Sequence, residues 1–186
     1  MRAFLILALF FPFVAQARLI VNYDLNYSTL NSDSNNIKGS STRTFHKVFI
    51  GGSLNDRKTF FFGWNINSWS TEKKNGANKE SYSVLEMGPK LLWFVNDNYN
   101  LFLSAEWNPY AKGSRKLSGA SEKISGSSYG AAIGYRFRLS RFMGLGVGIH
   151  YQSTAIDEAK VGSSVNNVSD TVSHIMPMIE LSAMFK

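Results

Sequence analysis

Three sets of side chains in this sequence are of types that do chemistry. His150 and Ser153, in GIHYQSTA, are the imidazole and hydroxyl from which a base and its nucleophile are made. In an extended chain, residues three apart point to opposite faces, so the two are not expected to meet without a bulge. Glu86, Glu106 and Glu180 are carboxylates of the kind that divide acid and base work between them. Lys90, Arg136 and Arg138 stand in similar alternating segments, so the carboxylates are expected to join a structural ion-pair network rather than a catalytic pair. His150 and His174 have no Cys or carboxylate at metal-ligand spacing. Neither a catalytic centre nor a metal or cofactor site is therefore expected.

The elements that must position these residues alternate with period 2. Between Ser127 and Ser153, Tyr129, Ala131, Ile133, Tyr135 and Phe137 alternate with Ser128, Gly130, Ala132, Gly134 and Arg136. After a turn at Ser140 and Arg141, Leu145, Val147, Ile149 and Tyr151 alternate with Gly144, Gly146, Gly148, His150 and Gln152. The same pattern predicts strands at about 19–30, 44–54, 59–69, 81–95, 100–110 and 172–185, eight in all. Short turns fall at Asn55-Asp56-Arg57-Lys58, Asn96-Asp97-Asn98-Tyr99 and Ser140-Arg141. Long polar connections are expected at about 31–43, 70–80, 111–126 and 155–171. Strict alternation of short and long connections between an even number of antiparallel strands is the layout of a transmembrane β-barrel with both termini at the short-turn end.

Period 2 does not say which face is inside, because a soluble eight-stranded barrel turns its apolar face inward. The second face decides. It carries Gly51, Gly63, Gly88, Gly130, Gly134, Gly144, Gly146 and Gly148 among Asp24, Lys47, Glu86, Lys90, Glu106, Arg136, Arg138, His150 and Glu180. Glycines within strands weaken a water-facing sheet, whereas in a narrow lumen they make room for long charged side chains. Arg136 is expected beside Gly146, Arg138 beside Gly144, and Lys90 against Glu106, with Arg136 paired to Glu106 or its neighbours. The apolar face then meets lipid. Interfacial aromatics are expected from Trp93, Tyr99, Phe137 and Phe142 at the short-turn end, and from Tyr27, Trp69, Trp107, Tyr129 and Tyr151 towards the loops. His46 is expected near the outer rim.

The ends and the composition agree with export. Residues 1–17, MRAFLILALFFPFVAQA, read as a secretory signal peptide: one Arg, an apolar run too short to span a bilayer as a helix, and small residues at Ala15 and Ala17. Residues 18–186 then form one domain. With no cysteine, it has no disulfide staple. The formal charge is +7, or 7 − 1 = +6 once Arg2 leaves with the signal. Its lysines and arginines form no stripe with interleaved aromatics, so a nucleic-acid partner is not expected. The one locally basic connection carries Lys112, Arg115, Lys116 and Lys123 against Glu122.

With these features, including the LEMGPKLLWF strand and the closing IELSAMF segment, the chain resembles the small eight-stranded outer-membrane proteins of Gram-negative bacteria, the OmpA-barrel and OmpX/Ail-like group. The resemblance implies an all-β transmembrane barrel in the outer membrane, surrounded by outer-membrane lipid and lipopolysaccharide, and expected to be a monomer. It implies a final strand read by the outer-membrane assembly machinery through its terminal aromatic, here Phe185 followed by Lys186. It also implies a structural or surface-interaction role through the extracellular loops, whose partner the sequence does not name, with a narrow pore as the alternative. The lipid A deacylases, barrels of the same membrane with a His-x-Ser-Asn element, offer a further alternative around GIHYQSTA. There, however, Gln152 stands two residues after His150.

Overall fold

The structure, a computed structural model, describes residues 18–34, 37–75, 78–117, 120–161 and 164–185; the predicted signal peptide and Lys186 lie outside the described residues. Eight antiparallel strands, β1 (Leu19–Ser34), β2 (Ile37–Ser53), β3 (Phe60–Asn75), β4 (Asn78–Phe94), β5 (Leu101–Leu117), β6 (Ala120–Arg138), β7 (Met143–Val161) and β8 (Ser164–Phe185), close into a barrel in which β1 pairs with β8. The expected fold, an all-β eight-stranded antiparallel barrel, is the fold present.

Between Leu19–Asn26 and Met178–Phe185 closure leaves no strand edge, so at that level the ladder satisfies its own backbone groups all round the ring; beyond it β1 and β8 are each paired on one side only. Leu19 and Phe185 pair with each other at the short-turn end. Two of the short turns use one device twice. Asn55 and Asn96 accept backbone bonds from Lys58 and Tyr99, and their side-chain oxygens accept from Thr59 N at 2.9 Å and Asn100 N at 3.0 Å. Lys58 and Tyr99 take up the left-handed backbone that closes each turn, with φ of 57° and 59°.

The four long connections are not loops. The strands run on through them as paired hairpins, with ladders reaching Ser34↔Ile37, Asn75↔Asn78, Leu117↔Ala120 and Val161↔Ser164. Ladder bonds form between backbones whatever the side chains are. The extensions are mainly polar, and the apolar residues they carry, such as Ile124 and Ile156, are too widely spaced to mark them with a period-2 signal in the sequence.

Outside, the surface is apolar over a band: Ile50, Trp64, Ile66, Leu91, Ile133, Val147, Ile149 and Ile179 are all exposed. Along β8 the outward apolar residues run from Ile175 to Phe185. About ten residue steps of about 3.4 Å, tilted by about 40°, span roughly 25 Å, the height of a membrane-barrel band. Trp93, Phe137 and Phe142 are exposed towards the short turns, and Tyr27, Trp107 and Tyr129 towards the hairpins. Trp69 is a correction to the expected belt: it is 1% exposed and points into the lumen. Tyr99 is also not on the lipid face; it packs edge-on against Phe94 at 5.3 Å beneath the barrel.

Inside, the filling is layered. Nearest the short turns lie Ile20, Phe49, Phe61, Leu92, Phe94, Phe102 and Met178, and nearest the hairpins Phe45, Trp69, Tyr82, Val84, Ile124, Val172 and Met176. Apart from Arg136, which lies at the short-turn end over Phe94, the buried charges are gathered in a polar layer with the amides.

Candidate functional site: the buried polar layer and the projecting hairpins

Pleat geometry alone puts Asp24, Lys47, Glu86, Lys90, Glu106, His150 and Glu180 on the inner face, and all are buried. Room for them comes from glycine. A Cβ on Gly130 would stand 2.6 Å from Gln152 Oε1 and 2.8 Å from Glu106 Oε1. At Gly51 and Gly134, on the inner face near the short turns, it would meet the Phe49 and Phe102 rings. Glycine thus makes room for phenyl rings as well as for charges.

Lys47 is the centre of one cluster. Its ammonium ion-pairs with Glu106 and also donates to His150 Nε2 at 2.6 Å and Gln152 Oε1 at 3.2 Å, so its three hydrogens are all used. Glu106 also accepts from Asn65 at 3.3 Å and Asn67 at 3.2 Å. Lys90 pairs with Asp24 at 3.1 Å and lies 5.3 Å over the Phe49 ring.

Lys90 and Glu106 are direct cross-strand partners, as expected, yet each takes its ion pair elsewhere across the lumen. Glu86 is held entirely by neutral donors: Gln152 Nε2 at 2.6 Å, Thr154 Oγ1 at 2.7 Å and Trp69 Nε1 at 2.8 Å. Glu180 accepts from Asn22 at 3.0 Å. The layer is a network of ion pairs and amides, and the amides Asn22, Asn65, Asn67 and Gln152 were not foreseen. Their inward parity was the only signal that could have found them.

Two expected members stand elsewhere. Arg138, inward by parity, is exposed, because the lumen has ended where it stands; its Nε donates to Ser140 O at 3.3 Å. Arg136 is buried but makes no ion pair with Glu106 or any neighbour among the described residues. It lies 5.4 Å over Phe94 with Met184 Sδ 3.7 Å from its Nη1. Register does place it opposite Gly146, and Arg138 opposite Gly144. The side chain of Arg136, however, slants along the strand and takes up the space over Gly144, where a Cβ would collide with its Nε.

His150 faces the lumen, while Ser153 lies on the other face and shares a 3.0 Å hydroxyl bond with Ser173. His174 is buried edge-on against Phe45 at 5.4 Å and Trp69 at 5.5 Å. Among the described residues no three His, Asp or Glu side chains come together as a metal site. His46 is on the outer surface, with its Nδ1 2.7 Å from the Tyr23 hydroxyl.

Above the upper apolar layer the hairpins carry a polar cap. Arg115 forks onto Glu122 at 2.8 Å and reaches Asp170 at 3.3 Å. Burial, and then the hydrogen bond it donates to Glu80, push the Tyr82 phenol up to about 12. Further out, Lys74 and Lys79 both bind Glu72, at 3.2 and 2.9 Å, and their hydrogen bonds, Lys79's first, hold its carboxyl below the usual range. On the outside of β5 to β7, Lys112, Lys123 and Lys160 line a cleft of about 200 Å³ with Glu158. Lys123 and Lys160 are direct cross-strand partners, so two like charges face each other there.

No family model matches the chain, and no curated protein matches it. Among solved structures it is similar to Neisserial surface protein A, at 13% identity over 91% of this chain and 96% of that one, with a TM-score of 0.48. Ail, the attachment invasion locus protein of Yersinia pestis, solved with the heparin analogue sucrose octasulfate, is similar at 11% identity, with the same coverages and a TM-score of 0.47. The translocator domain of the autotransporter NalP from Neisseria meningitidis gives 12% identity over 98% of this chain and 67% of that domain, at 0.41. These are likenesses of fold. The eight-stranded ring itself is established by the pairing registers of this chain.

Proposed function

We propose that the chain is an integral outer-membrane barrel that plays a structural or surface-interaction role through its four extracellular hairpins and carries no catalytic site. On this reading it is exported by a signal peptide cleaved after Ala17, inserted by the assembly machinery that reads the strand ending in Phe185, and works as a monomer among outer-membrane lipid and lipopolysaccharide. Nucleic acid is not among its partners. The observation that carries the role is the filled lumen: a buried polar layer lies between two apolar layers, so the barrel is a plug and a partner's footing is on the hairpins. A non-catalytic reading is supported by His150 and Ser153 standing on opposite faces of β7.

Planar bilayers containing the purified protein should show no stable single-channel steps. A peptide tag inserted after Asn75, where the β3–β4 ladder ends, should be stained on intact cells, because an insertion there breaks no earlier ladder bond. Regular conductance steps would replace the plug with a pore, and staining only after permeabilisation would turn the hairpins to the periplasm.

A further inference from the structure

We infer that the short-turn mouth of the barrel binds a phosphate or phosphate-ester oxyanion, held by Arg18, Arg136, Arg138 and Arg141. Arg18 precedes β1, Arg136 and Arg138 close β6, and Arg141 sits in the turn to β7. They line a single narrow cleft with Asn98, Tyr99 and Met184, and among the described residues no carboxylate lines it. Among the described residues none of the four makes an ion pair. Cations gathered about one cleft repel each other, and an anion between them removes that repulsion.

The floor of the cleft is built. Arg136 is 5% exposed, its Nε has no partner, and Nη1 reaches only a thioether sulfur. A buried guanidinium with an unused donor is costly unless something satisfies it. The absence of a side chain at Gly144 lets it lie where it does, and the Phe94 ring covers one face. Arg18 is oriented too: its backbone N donates to Ser53 Oγ at 3.0 Å and its Nη1 to the Tyr99 hydroxyl at 3.2 Å. Tyr99 in turn donates to Arg57 O at 3.2 Å. Arg138 and Arg141 are exposed at the lip.

This arrangement selects a shape. The cleft offers only about 20 Å³ to water-sized atoms, room for one. A ligand therefore offers one oxygen inward and keeps the rest at the lip. A tetrahedral oxyanion has further oxygens pointing in different directions for the remaining guanidinium forks, whereas a flat carboxylate has only two, in one plane. The oxyanion can come from a glycerophospholipid headgroup at the membrane surface or from free phosphate.

Two probes separate these sources, each added to the full protein purified in a nonionic detergent: inorganic phosphate followed by phosphorus NMR line broadening, and a water-soluble short-chain phosphatidylglycerol followed by calorimetry. Saturable binding of phosphate assigns the free anion, and saturable binding of the lipid alone assigns the headgroup. In either case Arg138→Gln/Arg141→Gln, a change confined to exposed side chains, should weaken binding at least tenfold and flatten its dependence on salt. The proposal is overturned if neither probe binds saturably, or if the double variant binds as tightly as the native protein. The hairpins take no part in the test, so its outcome is independent of the surface-interaction reading.

Discussion

Glu106→Ala should cost about 3 to 5 kcal/mol of barrel stability, because it leaves the buried Lys47 ammonium without its counter-charge. The Asn65 and Asn67 amides lose an acceptor at the same time. Replacing both charges, as in Lys47→Met/Glu106→Leu, should recover much of that loss, since an apolar pair in place of a buried ion pair is often tolerated. Arg136→Ala should cost less than Glu106→Ala, because Arg136 has no ion-pair partner to strand. Urea unfolding in liposomes, read by tryptophan fluorescence, gives the order. A cost for Glu106→Ala below about 1 kcal/mol, the range of exposed pairs, would mean that water reaches the layer.

The opposite face should follow the opposite rule. Ile133 is half exposed on the outer band, between Leu103 and Ile149 on the neighbouring strands. Placing a charge there, Ile133→Arg, should cost about 2 to 4 kcal/mol if it faces the bilayer midplane, whereas Ile133→Leu should be nearly neutral because acyl chains impose no jigsaw fit. A protein that tolerates Ile133→Arg but is damaged by Ile133→Leu has a packed core where lipid is expected.

Which residues face inward was legible in the sequence, because pleating forces alternation and the two faces differ in kind. Asp24, Lys47, Glu86, Lys90, Glu106, His150 and Glu180 are all where parity puts them. Partner choice was not legible. Adjacent strands bring Lys90 opposite Glu106, but long side chains in a narrow lumen reach across it, and Lys90 finds Asp24 while Glu106 finds Lys47. Arg138 shows a second limit: alternation continues to the end of a strand, but the lumen does not.

Trp69 shows a third. Its distance along the strand matched an interfacial belt, yet its parity is inward, and its indole N–H is used by Glu86. The hairpin extensions were hidden because backbone ladders leave no trace in a mainly polar segment whose few apolar residues, such as Ile124 and Ile156, are widely spaced. The departure from simple alternation at Pro109 and Tyr110 is a bulge, where the β4–β5 and β5–β6 registers both shift and a residue without an N–H interrupts the ladder at no cost.

The most direct test asks which tryptophans touch lipid. The chain has four, Trp64, Trp69, Trp93 and Trp107. Trp64 is 55% exposed on the outer band, and Trp69 is buried in the lumen. Two single-tryptophan proteins, each keeping one of these and carrying Phe at the other three positions, can be reconstituted in bilayers whose acyl chains are brominated. Bromine should quench Trp64 strongly and leave Trp69 almost untouched. Strong quenching of Trp69 with little effect on Trp64 would contradict a barrel with its apolar face to lipid and its charges within.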